Sequence, residues 1–110
     1  MRALIAVAVL IVGVHAACAK EKFWLDGNRL YGACQEDRSA CMLYAQGLLD
    51  GLAMEREVNS LPKPYCIPSN AVGDQITDVV TAYLRNNPAM RQYNAGSLVL
   101  KAMADAFPCK

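Results

Sequence analysis

The chain has 110 residues, of which 55% are hydrophobic, with five cysteines and a formal net charge of +1. This length fits a single small domain. No run of Lys or Arg occurs along the chain, which argues against the electrostatic surface that nucleic acids and anionic membranes require. We therefore expect one domain that binds neither nucleic acid nor, once exported, a membrane.

The start of the chain has the pattern of a secretory signal peptide. Met1 and Arg2 form a short basic start, residues 3–14 are an uncharged apolar run, and small residues follow up to Ala19. The apolar run is shorter than the roughly 20 residues that a membrane-spanning helix needs. We predict a cleaved signal peptide at residues 1–19.

Cleavage after Ala16 and cleavage after Ala19 both fit the pattern. The second is favoured because it removes Cys18 and leaves four cysteines, an even number suited to disulfides in an oxidising compartment. Lipidation of Cys18 is the weaker alternative, because His15 stands where a lipoprotein signal has a leucine. The mature domain is therefore expected at residues 20–110.

The mature domain lacks the residues of common catalytic and metal sites. The only histidine, His15, lies in the predicted signal peptide, and no C-x-x-C pair is present. Asp50, Asp74 and Asp78 are the carboxylates that an enzyme would have to use. Helix capping and a solvated face explain them better than catalysis does. We predict a protein that is not an enzyme and that holds no metal or cofactor.

Periodicity and capping residues predict two helices in the first half of the mature chain. Asp26 is placed to cap a helix that runs through Cys34, and Ser39 to cap a helix from residue 40 to about residue 56. In the second helix Gly47 and Gly51 stand one turn apart. Each costs about 1 kcal/mol relative to alanine, and close packing against another helix is the favoured explanation, with approach of a ligand as the alternative.

The last third of the chain, residues 75–109, predicts two more helices separated by Pro88. Apolar residues recur at helical spacing in both halves: Ile76, Val79, Val80, Tyr83 and Leu84, then Ala95, Leu98, Val99, Ala102, Met103, Ala106 and Phe107. Proline disfavours helical geometry in the residue before it and suits the first turn of a new helix. We expect an antiparallel pair, and hence an all-α, small four-helix exported domain.

Between the second and third helices the periodicity disappears over residues 57–70, where three prolines forbid a regular helix. A long loop of mixed apolar and charged composition in so small a domain suggests a binding surface. The candidate partner-binding residues are Glu57, Val58, Asn59, Leu61, Lys63 and Tyr65.

The four remaining cysteines predict two disulfides, for which three pairings exist. An antiparallel final pair brings Cys109 near Cys66, whereas the loop can also run back along the second helix and bring Cys66 near Cys41. We favour Cys41–Cys66 with Cys34–Cys109, because this pairing fastens the loop and closes the longest segment. A Cys66–Cys109 bond is the alternative.

Six motifs follow one another through nearly the whole mature chain: Gly27-Asn28-x-Leu30-Tyr31-x-x-Cys34, Cys41-x-x-Tyr44-x-x-Gly47, Cys66-Ile67-Pro68 with Gln75, Val79-Val80-x-x-Tyr83-Leu84-x-x-x-Pro88, Ala95-x-x-Leu98, and Ala106-Phe107-Pro108-Cys109. In this order they resemble the Rap/Tai family, small exported helical proteins that act as immunity proteins against type VI secretion amidase effectors. The resemblance implies an all-helical periplasmic protein that binds and occludes a peptidoglycan amidase, often as a homo-oligomer. The alternative is a periplasmic stress chaperone or another non-catalytic exported helical binding protein.

Overall fold

A computed structural model describes residues 22–110 of the chain. They form four α-helices and one short 3-10 helix: α1 (Gly27–Glu36), α2 (Arg38–Asn59), α3 (Gly73–Asn86), η1 (Pro88–Met90) and α4 (Ala95–Ala106). The all-α prediction is confirmed, and an isolated bridge between Asp26 and Asn94 is the only β pairing in this part of the chain. None of the helices within it is long and apolar enough to cross a membrane. The predicted signal peptide and both cleavage positions lie outside the described residues.

Carboxylate side chains cap the N-termini of the first two helices. Asp26 caps α1 as predicted, since its Oδ1 accepts a hydrogen bond of 2.9 Å from the Arg29 amide. The cap of α2 is Asp37, which accepts from the Ser39 amide at 2.9 Å and the Ala40 amide at 3.3 Å. The prediction of Ser39 as the cap was therefore wrong by two residues, because the stronger acceptor lies just upstream.

Helix α2 ends later than its sequence pattern indicated. It continues through Asn59 and stops at Ser60, whose φ of 53° and ψ of 40° place it in the left-handed region. The Ser60 amide donates to the Arg56 carbonyl and closes the last turn. Nothing in residues 57–59 opposes a helix, because a proline restricts mainly the residue just before it, and the first proline is Pro62. The predicted loop start at Glu57 is therefore wrong.

Every α-helix contributes to one hydrophobic core. Its buried apolar residues are Leu30, Cys41, Ala45, Tyr65, Ile76, Val80, Leu84, Ala95, Leu98, Val99, Ala102 and Met103. On α3 the predicted division is confirmed, with Ile76, Val80 and Leu84 buried and Asp78 and Arg85 exposed. The helical period thus correctly identified which side of the helix packs inwards.

The connection between α3 and α4 is longer than expected. Pro88 begins a single 3-10 turn and not the fourth helix itself, which starts at Ala95. Asn94 caps α4 by accepting from the Ser97 amide at 3.0 Å. At the other end of α4, Ala106 was predicted on the apolar face but is exposed. The two helices pack against each other, as expected.

Arg91 secures this connection. Its Nε donates to the Leu84 carbonyl at 2.6 Å and its terminal nitrogen to the Arg85 carbonyl at 3.3 Å. The guanidinium carbon also lies 3.9 Å from the centre of the Tyr31 ring. One side chain thus satisfies carbonyls at the end of α3 and stacks on α1.

The two glycines of α2 do not pack against another helix. Cys41 and Ala45 form the buried side of α2, while Gly47 and Gly51 are exposed. A Cβ atom added at either glycine would have no neighbour within 4 Å. The favoured explanation was therefore wrong, and no contact in residues 22–110 offsets their cost of about 1 kcal/mol each.

The disulfides join Cys34 to Cys41 and Cys66 to Cys109, with Cα–Cα distances of 4.7 Å and 4.9 Å. The favoured pairing of Cys41 with Cys66 and Cys34 with Cys109 was wrong. The sharp turn at Asp37 places Cys34 and Cys41 side by side on adjacent helices. The Cys66 amide donates a hydrogen bond of 2.8 Å to the carbonyl of Phe107, which stands two residues before Cys109. This contact brings the other two cysteines together.

Candidate partner-binding surface

The six residues predicted to bind a partner occupy three different settings. Glu57, Val58 and Asn59 lie in the last turn of α2, and Leu61 and Lys63 are exposed in the segment that follows. The sixth, the Tyr at position 65, belongs to the core and is only 6% exposed. The predicted surface therefore combines a helix end with a loop, and one of its members cannot offer a partner much surface.

A groove lies between the end of α2 and this loop. It has a volume of about 400 Å³ and is lined by Ala53, Arg56, Glu57, Leu61 and Lys63. Three of the six predicted residues thus meet in one groove, while Val58 and Asn59 lie outside it. The structure adds two residues, Ala53 and Arg56, that sequence reasoning missed. The spacing supplies the signal: Ala53 stands four residues before Glu57 and three before Arg56, and residues three or four apart share a helix face.

Tyr65 acts on the groove through Arg56. The Arg56 terminal nitrogen donates a hydrogen bond of 2.7 Å to the Tyr65 hydroxyl, and its guanidinium carbon lies 4.8 Å from the centre of the ring. Both contacts fix the arginine on the wall of the groove, because a guanidinium combines hydrogen bonding with stacking. Tyr65 is therefore a positioning residue.

A second depression adjoins the first and shares Ala53, Arg56 and Lys63 with it. Its volume is about 360 Å³, and Asp50 and Leu49 line its side along α2. Acidic and basic side chains thus stand along one groove whose floor includes apolar atoms. Such a mixed surface suits recognition of a protein better than recognition of a single small ion.

Three backbone contacts and a disulfide hold the loop in place. The Leu61 amide donates to the Arg56 carbonyl at 3.0 Å, the Ala71 amide to the Pro68 carbonyl at 3.0 Å, and the Cys66 amide to the Phe107 carbonyl at 2.8 Å. The Cys66–Cys109 bond ties the same segment to the end of the chain. A loop fixed before binding loses less conformational entropy when a partner docks.

The other two carboxylates considered for chemistry lie elsewhere. Arg38 at the start of α2 pairs with Asp74 at 3.2 Å and with Asp78 at 2.9 Å. The hydrogen bond to Asp78 is the main reason that the pKa of Arg38 is raised, with Asp74 contributing in the same direction. This exposed ion-pair network links the starts of α2 and α3. Asp74 and Asp78 thus belong to a solvated charge cluster. No group of three or more potential metal ligands occurs in residues 22–110.

The fold and this surface define a small helical domain, held by two disulfides, with a groove of mixed apolar and charged character beside a fixed loop. The family model of the Rap1a immunity proteins matches residues 26–109, and the chain belongs to that family. The resemblance to the Rap/Tai immunity proteins is thereby confirmed. No curated protein and no solved structure matches the chain.

Membership of this family implies the function in general terms. An immunity protein protects against a secreted effector, and it does so by binding that effector as a protein partner. Proteins of this kind are generally non-catalytic. The groove and loop are therefore a candidate surface for a protein partner.

Proposed function

We propose that the chain is a periplasmic immunity protein that binds and inhibits a peptidoglycan amidase delivered by a type VI secretion system. The family match supports immunity against a secreted effector. The two disulfides support a location outside the reducing cytosol, since such bonds persist in the periplasm. The predicted signal peptide at residues 1–19 would supply the route of export.

The observation that carries the proposal is the groove beside a loop that is already fixed. Glu57, Leu61 and Lys63 provide an acid, an apolar side chain and a base along one edge. Val58 and Asn59 extend this edge over the end of α2. In the proposed complex this edge covers the substrate cleft of the amidase, so that peptidoglycan cannot enter.

The direct test is titration of any peptidoglycan amidase encoded beside this gene with the purified, disulfide-bonded protein. We expect inhibition at a fixed stoichiometry and co-purification of the two proteins from the periplasm. Leu61→Ser should weaken inhibition at least tenfold. Val72→Ser is the matched control, because Val72 is also an exposed apolar residue but does not line the groove.

Absence of inhibition of any neighbouring peptidoglycan hydrolase would contradict the proposal. Suppression of client aggregation near pH 3, without such inhibition, would instead support the stress-chaperone alternative. Light scattering of the free protein and of the complex will determine whether the active species is the homo-oligomer that the resemblance implies.

A further inference from the structure

The outer face of α2 is an exposed apolar strip. We use this name for Leu43, Gly47, Gly51, Met54 and Val58, which are spaced three or four residues apart and so lie along one side of the helix. Leu43, Met54 and Val58 are 70%, 66% and 76% exposed. Three large apolar side chains on one unpartnered face mark an interaction surface more than scattered exposed residues do.

The two glycines give the strip a shape. Gly47 and Gly51 leave a depression one turn long on the helix surface, because neither carries a Cβ and neither faces any other part of residues 22–110. Small residues one turn apart let the backbone of a second helix approach closely. The large side chains at positions 43, 54 and 58 stand at the two ends of this depression, where they can pack on the approaching helix.

The charged residues that α2 itself carries along the edges of the strip are all acidic. Asp50 and Glu57 follow one edge and Glu55 lies by the other, and all three are exposed. None has an ion-pair partner within 4.0 Å in the described part of the chain, where Arg38 and Lys101 are the basic partners in the salt bridges and pair with other carboxylates. The nearest basic residue of α2, Arg56, points into the groove and is engaged with a tyrosine.

From this shape and charge we infer that the outer face of α2 receives an apolar helix of a partner protein whose flanks carry Lys or Arg. Complementary charges on the two sides of an interface favour encounter and fix the register. The inference rests on the proposed function in one respect, namely that the partner is the effector. It adds a second contact surface, continuous with the groove at Glu57.

The same charges disfavour the other occupants. Two copies of this chain that met through the strip would bring Asp50, Glu55 and Glu57 of one copy against those of the other, and like charges at an interface are repulsive. An anionic membrane surface would be repelled for the same reason. A basic helix is the occupant that these residues attract.

The test uses two synthetic amphipathic helices of about 18 residues, which is five turns. Both have a Leu/Ala apolar side; the polar side is Lys in one and Glu in the other. Binding to the full disulfide-bonded protein is measured by fluorescence anisotropy at low and moderate salt. We expect the Lys peptide to bind at least tenfold more tightly than the Glu peptide and than a scrambled Lys peptide of equal charge.

Substitutions within the protein test whether the Lys peptide binds at the strip or is attracted only by the overall charge of the protein. Gly51→Ala should raise thermal stability, because alanine is the better helix former, and yet weaken binding of the Lys peptide at least fivefold. Gly32→Ala in α1 is the matched control, since Gly32 also faces open space. It should stabilise the protein without changing binding. Val58→Ser should weaken binding and Val72→Ser should not.

Three results would overturn the inference: equal binding of the Lys and Glu peptides, unchanged binding by the Gly51→Ala protein, or a dimer in sedimentation that Val58→Ser dissociates. Its failure can be told apart from that of the proposed function. If Gly51→Leu still inhibits the amidase as the wild type does, the strip is not a contact surface and the proposed function stands. If the peptide results hold but no hydrolase is inhibited, the strip stands and the proposed function falls.

Discussion

Removal of the Cys66–Cys109 disulfide should cost this protein much of its stability. The replacement Cys66→Ser with Cys109→Ser is a clean change, because both residues are exposed and serine can be solvated at either position. The bond joins residues 43 apart in sequence. Its main effect is therefore on the unfolded chain, which it prevents from sampling many conformations.

The loop-entropy relation gives about 4 kcal/mol at 25 °C for the Cys66–Cys109 separation of 43, and about 2.4 kcal/mol for the Cys34–Cys41 separation of 7. A small domain has a total stability of about 5 to 15 kcal/mol, so the larger figure is a substantial part of it. With a urea dependence of about 1.5 kcal/mol per M, the midpoint should fall by between 2 and 3 M.

Equilibrium urea unfolding followed by circular dichroism measures the difference. The variant Cys34→Ala with Cys41→Ala is informative beside it, because Cys41 is fully buried. Any loss beyond the loop term in that variant reports the missing sulfur contacts. A cost below about 1 kcal/mol for the exposed pair would refute the reasoning, since it would mean that the unfolded chain gains little freedom when the bond is absent.

Three further predictions concern single residues. Gly27→Ala should destabilise the protein by about 1 to 3 kcal/mol in urea unfolding, because its Cβ would lie 2.7 Å from the Arg91 Cα, whereas Gly32→Ala should be neutral or stabilising. Arg91→Lys should cost about 1 to 2 kcal/mol, since lysine cannot reproduce both the hydrogen bonds and the stacking on Tyr31; a melting temperature equal to wild type would contradict this. Burial raises the pKa of the Tyr44 phenol above the usual tyrosine value of 10.0. The free energy of unfolding should therefore fall as the pH rises above that value, because the phenol ionises more readily in the unfolded chain than in the folded one, and Tyr44→Phe should reduce that fall.

Local sequence patterns predicted the features of the helices that depend on neighbouring residues along the chain. The apolar period identified the buried side of α3, and the carboxylate at Asp26 identified the start of α1. The same approach failed at Gly47 and Gly51, which were assigned to a helix contact and lie in open space. Periodicity shows which residues share a face, but a glycine has no side chain to indicate whether that face is packed or exposed.

The candidate site was predicted only in part. Glu57, Leu61 and Lys63, three of the six residues predicted to bind a partner, line the groove, and their role in binding stays a prediction. Arg56 was missed because it belongs to a helix that the prediction ended at that residue. Tyr65 was included as a contact residue but is buried. From the sequence, an aromatic side chain in a loop is as consistent with a core anchor as with an exposed contact, and only its burial in the fold distinguishes the two.

By itself the sequence determined the all-helical class, the family and the presence of structural disulfides, because helical period, motif order and cysteine count are properties of neighbouring residues along the chain. Tertiary structure alone decided how the cysteines pair, since Cys66 and Cys109 meet through a contact between the loop and the end of α4 that no local pattern encodes. It also decided that the rest of residues 22–110 leaves the outer face of α2 open. Which side of a helix is covered depends on where its neighbours lie, and that is a property of the whole fold.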